Sequence, residues 1–287
     1  GMVNHVVVHP DFERVWPCAA EHLRDVWDAS NGRVAFTRLY PGDDRVLSEA
    51  IAHPDNVSRL VSLCVPVSDT CHEAFPNLEE AAVFTDSAYE VDEDVHRRLE
   101  RAGVTVHEHE NRGYWGQSVA ETALGLTISA LRRIPQKHAA ITESQDEWEY
   151  TPDGDPGPGK RGAQYADDPR FAEGTVDGKN LRQVGIGNIG SRYADVMSHL
   201  GADVAAYDPY ADEPSFHRAG ARRVFDLADL LEDADVFAPM VPPTPETEGM
   251  ITAEHVHALP AGCLVVLATR ARVIDGAALR ERVFADE

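Results

Sequence analysis

The chain has 287 residues, of which 43% are apolar, enough to bury a sizeable core and to exclude general disorder. Its 26 basic residues, 23 Arg and 3 Lys, face 49 acidic ones, for a formal net charge of −23. A chain this acidic argues against binding nucleic-acid phosphates or an anionic membrane surface, and an anionic ligand would have to be gripped by a local Arg against the overall field.

No stretch reaches the ~18 apolar residues of a membrane helix. The opening residues show no charged segment running into an apolar one, so no signal peptide is expected, and the expected location is cytoplasmic. Cys18, Cys64, Cys71 and Cys263 lack the spacing of a metal or redox motif. They predict reduced thiols and no metal site.

Short apolar runs alternate with amphipathic stretches through the first 110 residues. The predicted strands are His5–Val8, Arg33–Phe36, Arg59–Val65, Glu80–Phe84 and Thr105–His107. Between the last two, Glu93–Ala102 reads as a helix closed by Gly103. Strands alternating with helices predict a parallel α/β sheet. Ser118 followed by Glu121 has the spacing of a capping box, so a long helix is predicted over 118–135, ending at Pro135. Residues 145–180 include the run Thr151-Pro152-Asp153-Gly154-Asp155-Pro156-Gly157-Pro158-Gly159 and read as a long surface loop, a tolerated insertion. Alternation resumes with predicted strands at Leu181–Val184, Asp203–Tyr207, Arg222–Phe225, Asp235–Ala238 and Cys263–Ala268, with helices over Ser191–Leu200 and Ala277–Phe284. Length suggests about two domains, and the boundary is set before the Ser118 helix, giving 1–117 and 118–287, with the 145–180 loop inside the second.

Three constellations carry chemistry. The first is Gly185-Ile186-Gly187-Asn188-Ile189-Gly190, placed after a strand and opening a helix. Gly185 allows a tight turn, Gly187 lets backbone approach a pyrophosphate, and Gly190 permits close helix–strand packing. The pyrophosphate sits at the helix N-terminus, where unpaired N–H groups point at it. Asp208, at the tip of the next strand, suits ribose hydroxyls and repels a 2′-phosphate, which selects NAD over NADP. The second is Val241–Ile251, a Pro/Thr-rich loop that follows a buried strand and reads either as a cofactor-side loop or as a plain rigid turn. The third is Thr269-Arg270-Ala271-Arg272-Val273-Ile274-Asp275. A guanidinium at the end of an apolar strand either holds a carboxylate through paired hydrogen bonds or sits in an ion pair with a nearby acid.

Together with Asn111-Arg112-Gly113 through Ser118-Val119-Ala120-Glu121, these stretches resemble the D-isomer-specific 2-hydroxyacid dehydrogenase family. The resemblance implies two α/β lobes: a flavodoxin-like N-terminal substrate lobe and a Rossmann, doubly wound cofactor lobe, joined through the helix beginning at Ser118. The implied activity is NAD-dependent hydride exchange with a small 2-hydroxy or 2-keto acid. Arg270 falls on the family's substrate-binding arginine. Ser87, Ala88 and Tyr89 fall on a loop offering N–H groups to the substrate carboxylate, and Tyr114 lies toward the substrate side chain. Gly185, Gly187, Asn188, Ile189, Gly190, Asp208, Pro242, Thr247, Ala268 and Thr269 are implied to line NAD. A homodimer is implied as well.

This sequence departs from the family pattern at Leu267, where Asn is usual, and at Ala271, where Gly is usual. The family's Glu and acid/base His have no counterpart within residues 1–287, and His255 and His257 lie in the wrong place to replace them. Leu264–Ala268 is apolar without alternation and predicts cover on both faces, so closing strands and a tail carrying that pair are expected outside these residues. The alternative is an NAD(H)-binding sensor or corepressor-like protein without turnover.

Overall fold

The computed structural model describes residues 1–86, 92–109, 113–145 and 170–285. The chain forms two units, Gly1–Asn111 and Arg112–Glu287, each built on its own parallel sheet.

Val6, Val7 and Val8 are completely buried, as an unalternating apolar run demands of a parallel strand covered on both faces. They belong to β1 (Val3–Val8), which with β2 (Val34–Arg38), β3 (Val57–Leu63), β4 (Glu80–Phe84) and β5 (Thr105–Val106) forms a sheet ordered β2-β1-β3-β4-β5. This is the flavodoxin-like order. Val6 and Val8 pack with Phe12 and Ala20, from α1 (Pro10–Val15) and α2 (Ala19–Asn31). Val7 points the other way, into a cluster with Leu47, Val95 and Leu99, from α3 (Leu47–Ala50) and α4 (Glu93–Arg101). The period-2 alternation of a strand thus serves both layers. The Asp92 carboxylate caps α4 by accepting from the Asp94 and Val95 N–H groups, and Gly103 follows at φ +85°.

The second unit holds β6 (Asn180–Val184), β7 (Asp203–Tyr207), β8 (Arg222–Val224), β9 (Val236–Pro239) and β10 (Leu264–Val265), ordered β10-β9-β6-β7-β8. This is the Rossmann order, and the chain reverses direction across the sheet between β6 and β9, the place where such folds bind ligands. Its helices are α5 (Tyr114–Leu131), α6 (Ile134–Glu143), α7 (Asn188–His199), α8 (Glu213–Arg218), α9 (Ala253–Ala258) and α10 (Gly276–Phe284). All ten predicted strands are present, and the two-lobed α/β expectation holds.

Three local expectations, the start of the long helix, the role of Pro135 and the length of the last strand, are corrected. The long helix starts at Tyr114 behind Gly113, not at Ser118. Gly113 reaches φ +84°, which lets the helix begin four residues early, and the Ser118 hydroxyl donates to the Trp115 carbonyl instead of capping. Pro135 does not end that helix. It sits in the first turn of α6, where its missing N–H costs nothing. Of the Pro/Gly-rich stretch, 146–169 lie outside the described residues, while 170–179 are anchored. The Ala172 N–H donates to the Gly262 carbonyl and the Gly174 N–H to that of Leu131. The last predicted strand shortens to two residues and, among the described residues, pairs only with β9; Leu264, Val265 and Leu267 are half-buried, whereas Val266 is buried. Of the cysteines, Cys64 and Cys71 are buried, Cys263 is half-buried and Cys18 is exposed, and none is in a disulfide.

A buried cation stabilises β6. Arg182 is 2% exposed, and its Nε and Nη2 grip both carboxylate oxygens of Asp233 at 2.6 and 2.7 Å. Nη2 also reaches Asp203, and Nη1 donates to the Leu181 and Asp203 carbonyls. Every guanidinium nitrogen is therefore satisfied, the condition on which a buried charge is tolerated. Hydrogen bonding to Arg182 holds the Asp233 carboxyl below its ordinary value. Removing one partner of a fully buried pair costs about 3–5 kcal/mol, and the half-exposed Asp233 reduces this, so Asp233→Ala is expected to destabilise by about 2 kcal/mol in urea unfolding. Because the folded pKa is depressed, the contribution is complete above the ordinary carboxyl value and lost as pH falls through the folded one. The stability gap between wild type and Asp233→Asn should therefore narrow on acidification below about pH 4.

Candidate cofactor and substrate site

The carboxyl end of β6 runs into the glycine turn. Gly185 takes φ +91°, and a Cβ there would lie 2.8 Å from the Met240 carbonyl oxygen at the end of β9. Backbone conformation and crowding both require glycine. Gly190 is forced differently: its Cβ would overlap the Gly185 carbonyl and come within 2.8 Å of Gln183 Nε2. Gly187 has an ordinary φ of −69°, is exposed, and nothing lies within 4 Å of where its Cβ would be. The first and third glycines serve the protein's own packing, and the second fronts open space. As N-cap of α7, Gly187 brings no side-chain acceptor, which leaves first-turn N–H groups for an anion.

Asn188 and Ile189 open α7, exposed and half-buried respectively. The Asn188 carboxamide is seated against α5, where a Cβ on Gly116 would fall 2.7 Å from it. Gly113 is hemmed by the same group. Asn188 Oδ1 accepts from Arg192 Nε at 3.3 Å, and Arg192 Nη1 reaches Gln117 Oε1 at 3.2 Å. Further along the same two helices the Thr127 and Tyr193 hydroxyls meet at 2.7 Å, and burial pushes the Tyr193 phenol up to about 12. The small residues at the start of α5 thus have a purpose that sequence reasoning missed: they admit a side chain from the glycine-turn helix.

Asp208 stands at the end of β7, as expected, but its carboxylate also ties the turn together. Oδ2 accepts from the Ile186 N–H at 2.9 Å, and Oδ1 accepts from Tyr210 and Ala211 at 2.9 and 3.1 Å. A carboxylate has about four acceptor positions, so about one remains for a ribose hydroxyl.

The two loops beside the turn are laced together. The Thr247 hydroxyl donates to the Pro242 carbonyl and accepts from the Thr244 N–H, which staples the Pro/Thr loop. Pro242 is exposed and Thr247 half-buried. The Gly249 and Ile251 N–H groups donate to the Arg272 and Val273 carbonyls at 2.9 Å each, and the Asp275 N–H returns to Ile251 at 2.8 Å. Ala268 and Thr269 are half-buried, and Thr269 Oγ1 reaches the Pro239 carbonyl at 3.4 Å, tying this segment to the end of β9. Arg270 follows with an exposed side chain, which forms no hydrogen bond or ion pair among the described residues. The ion-pair reading of Arg270 therefore finds no partner there.

Tyr114 is the exposed first residue of α5, whereas Ser87, Ala88 and Tyr89 lie outside the described residues. His255 is committed to capping α9, its Nδ1 accepting from the Thr252 N–H at 3.1 Å. Among the described residues no cluster of His, Cys, Asp or Glu could hold a metal, and no helix is long and apolar enough to cross a membrane.

These residues fit a dinucleotide. The open face at Gly187, the uncapped first turn of α7, and one remaining acceptor position on Asp208 are the pieces such a ligand needs. Gly187→Ala isolates ligand contact from folding, since the added methyl meets no protein atom. The variant should unfold within a degree or two of wild type yet bind NADH about tenfold more weakly, a loss of ~1.4 kcal/mol. Thermal unfolding and an NADH fluorescence titration together check this.

Comparison with known proteins agrees with the geometry. Residues 124–284 match the family model for the D-isomer specific 2-hydroxyacid dehydrogenase, NAD binding domain. Among curated relatives, D-3-phosphoglycerate dehydrogenase of Mycobacterium tuberculosis is 33% identical over 166 residues, 58% of this chain and 28% of the relative. The Methanocaldococcus jannaschii enzyme of the same name is 30% identical over 164 residues, 57% of this chain and 28% of that protein. The chain thus matches little more than a quarter of these relatives' length. Solved structures share the fold over nearly the whole chain. Escherichia coli D-lactate dehydrogenase in its apo form superposes with TM-score 0.62 at 19% identity, covering 98% of this chain and 80% of that one. A D-2-hydroxyisocaproate dehydrogenase gives 0.68 at 17%, covering 98% and 76%. With more than half of its residues matched by the family model, on a Rossmann sheet whose glycine turn suits a dinucleotide, the chain belongs to the D-isomer-specific 2-hydroxyacid dehydrogenase family, and its second unit is an NAD-binding domain.

Proposed function

We propose that the protein is an NAD-dependent oxidoreductase that moves a hydride between the nicotinamide and the C2 carbon of a small 2-hydroxy or 2-keto acid. The observation that carries this is Arg270: an exposed guanidinium without a partner among the described residues, on a segment laced to the loops beside the glycine turn. When bound, NADH would supply hydride from nicotinamide C4 and NAD would take it up there. Arg270 is assigned to grip the substrate carboxylate with parallel N–H donors and to draw negative charge onto the keto oxygen. Charge placed in advance where it develops in the transition state usually lowers the barrier more than any other single effect.

Ser87, Ala88 and Tyr89 are assigned to the same carboxylate and Tyr114 to the substrate side chain, on the strength of the resemblance. His255 is occupied by its cap and is not assigned the proton transfer. The relatives' names, D-3-phosphoglycerate and D-lactate dehydrogenase, span the substrate class, a short 2-hydroxy acid. A homodimer and a cytoplasmic location belong to the same proposal. No observation favours the alternative of cofactor binding without turnover.

The test is NADH oxidation by the full protein with glyoxylate, hydroxypyruvate and pyruvate. At least one should turn over. Arg270→Ala should lower kcat/KM about 100-fold or more while changing the NADH Kd less than about twofold. Absence of turnover with every 2-keto acid tried would sink the proposal.

A further inference from the structure

Gln183 is the penultimate residue of β6, in the middle of the second unit's sheet, and its side chain is completely buried. Its Nε2 donates to two carbonyls at once, that of Gly185 at 2.8 Å and that of Gly190 at 2.7 Å. Its Oε1 is buried without a hydrogen-bond partner among the described residues. A buried acceptor without a donor destabilises the fold, and an apolar side chain of similar volume would avoid that cost. The amide is therefore hard to explain by stability alone, and its value must lie on the donor side.

The donor side joins the two ends of the dinucleotide turn. Gly185 and Gly190 have no side chains with which to hold their own geometry. Gly190 must be glycine in part because the Gln183 amide occupies the space its Cβ would need. Through this one nitrogen, the first turn of α7 is drawn onto the end of β6. The direction of the N–H groups behind Gly187 follows from that placement, and an anion site made of backbone donors is only as good as their aim.

We infer that Gln183 is a positioning residue for the cofactor: it holds the glycine turn in its dinucleotide-binding geometry without touching the dinucleotide. The inference rests on the proposed use of NAD. It adds a determinant of cofactor affinity inside the strand, two residues before the glycine motif.

The experiment is NADH titration by fluorescence on wild type, Gln183→Met and Gln183→Asn, with thermal unfolding of each. Gln183→Met keeps the volume and removes the donors. Gln183→Asn keeps an amide but withdraws it from the carbonyls, and it stands in if the Met variant does not fold. The expected result is an NADH Kd about tenfold higher in Gln183→Met, with a smaller rise in Gln183→Asn. In steady state the KM for NADH should rise while the KM for the keto acid stays within about twofold. A folded Met or Asn variant that binds NADH as wild type does would overturn the inference and leave the cofactor reading intact. Wild type that binds no NADH would overturn the cofactor reading itself, and this inference with it.

Discussion

The second unit depends on how closely α7 can approach the end of β6. Gly190 lies against the Gly185 carbonyl at a separation that no residue with a Cβ could adopt. Gly185 in turn lies against the Met240 carbonyl from β9. Strand, helix and neighbouring strand therefore meet at one crowded point, and three backbone segments are held there almost without side chains. Within this crowding Gly187 alone faces open space. Open space begins where packing stops, and its position is set by the packing on either side.

Polar side chains then hold the crowded point in register. Gln183 ties the turn from below, and Asp208 ties it from the neighbouring strand through the Ile186 N–H. Asn188 ties it to α5 through the space left by Gly113 and Gly116. Arg182, one residue before Gln183, fastens β6 to Asp203 and to Asp233 just before β9. A strand of five residues thus carries two fully buried polar side chains side by side. One secures the sheet and the other secures the turn.

On the far side of the switch point the same economy appears in the loops. Thr247 satisfies the Pro/Thr loop internally, and backbone hydrogen bonds from Gly249, Ile251 and Asp275 hold the Arg270 segment against it. Arg270 is left exposed on a framework that other residues make rigid. That arrangement suits a group meant to meet a substrate, because the side chain need not also hold the fold.

The local chemistry was written in the sequence. Unalternating valines foretold strands buried on both faces, and the glycine spacing foretold a turn between strand and helix. The lobed α/β organisation followed from alternation and motif order. These readings work because strand burial, turn geometry and helix capping are decided by residues close together in the chain. What only the tertiary structure decided is which distant group each polar residue meets. Nothing near Gln183 in sequence shows that its amide would bridge Gly185 and Gly190. Nothing near Gly116 shows that it makes room for Asn188, and the capping spacing at Ser118 gave way to an earlier start that Gly113 allows. Asp208 was legible as an acid at the tip of β7 but not as the anchor of the turn. Such partners are chosen by the approach of separate elements, which depends on the packing of the whole unit and not on any local pattern.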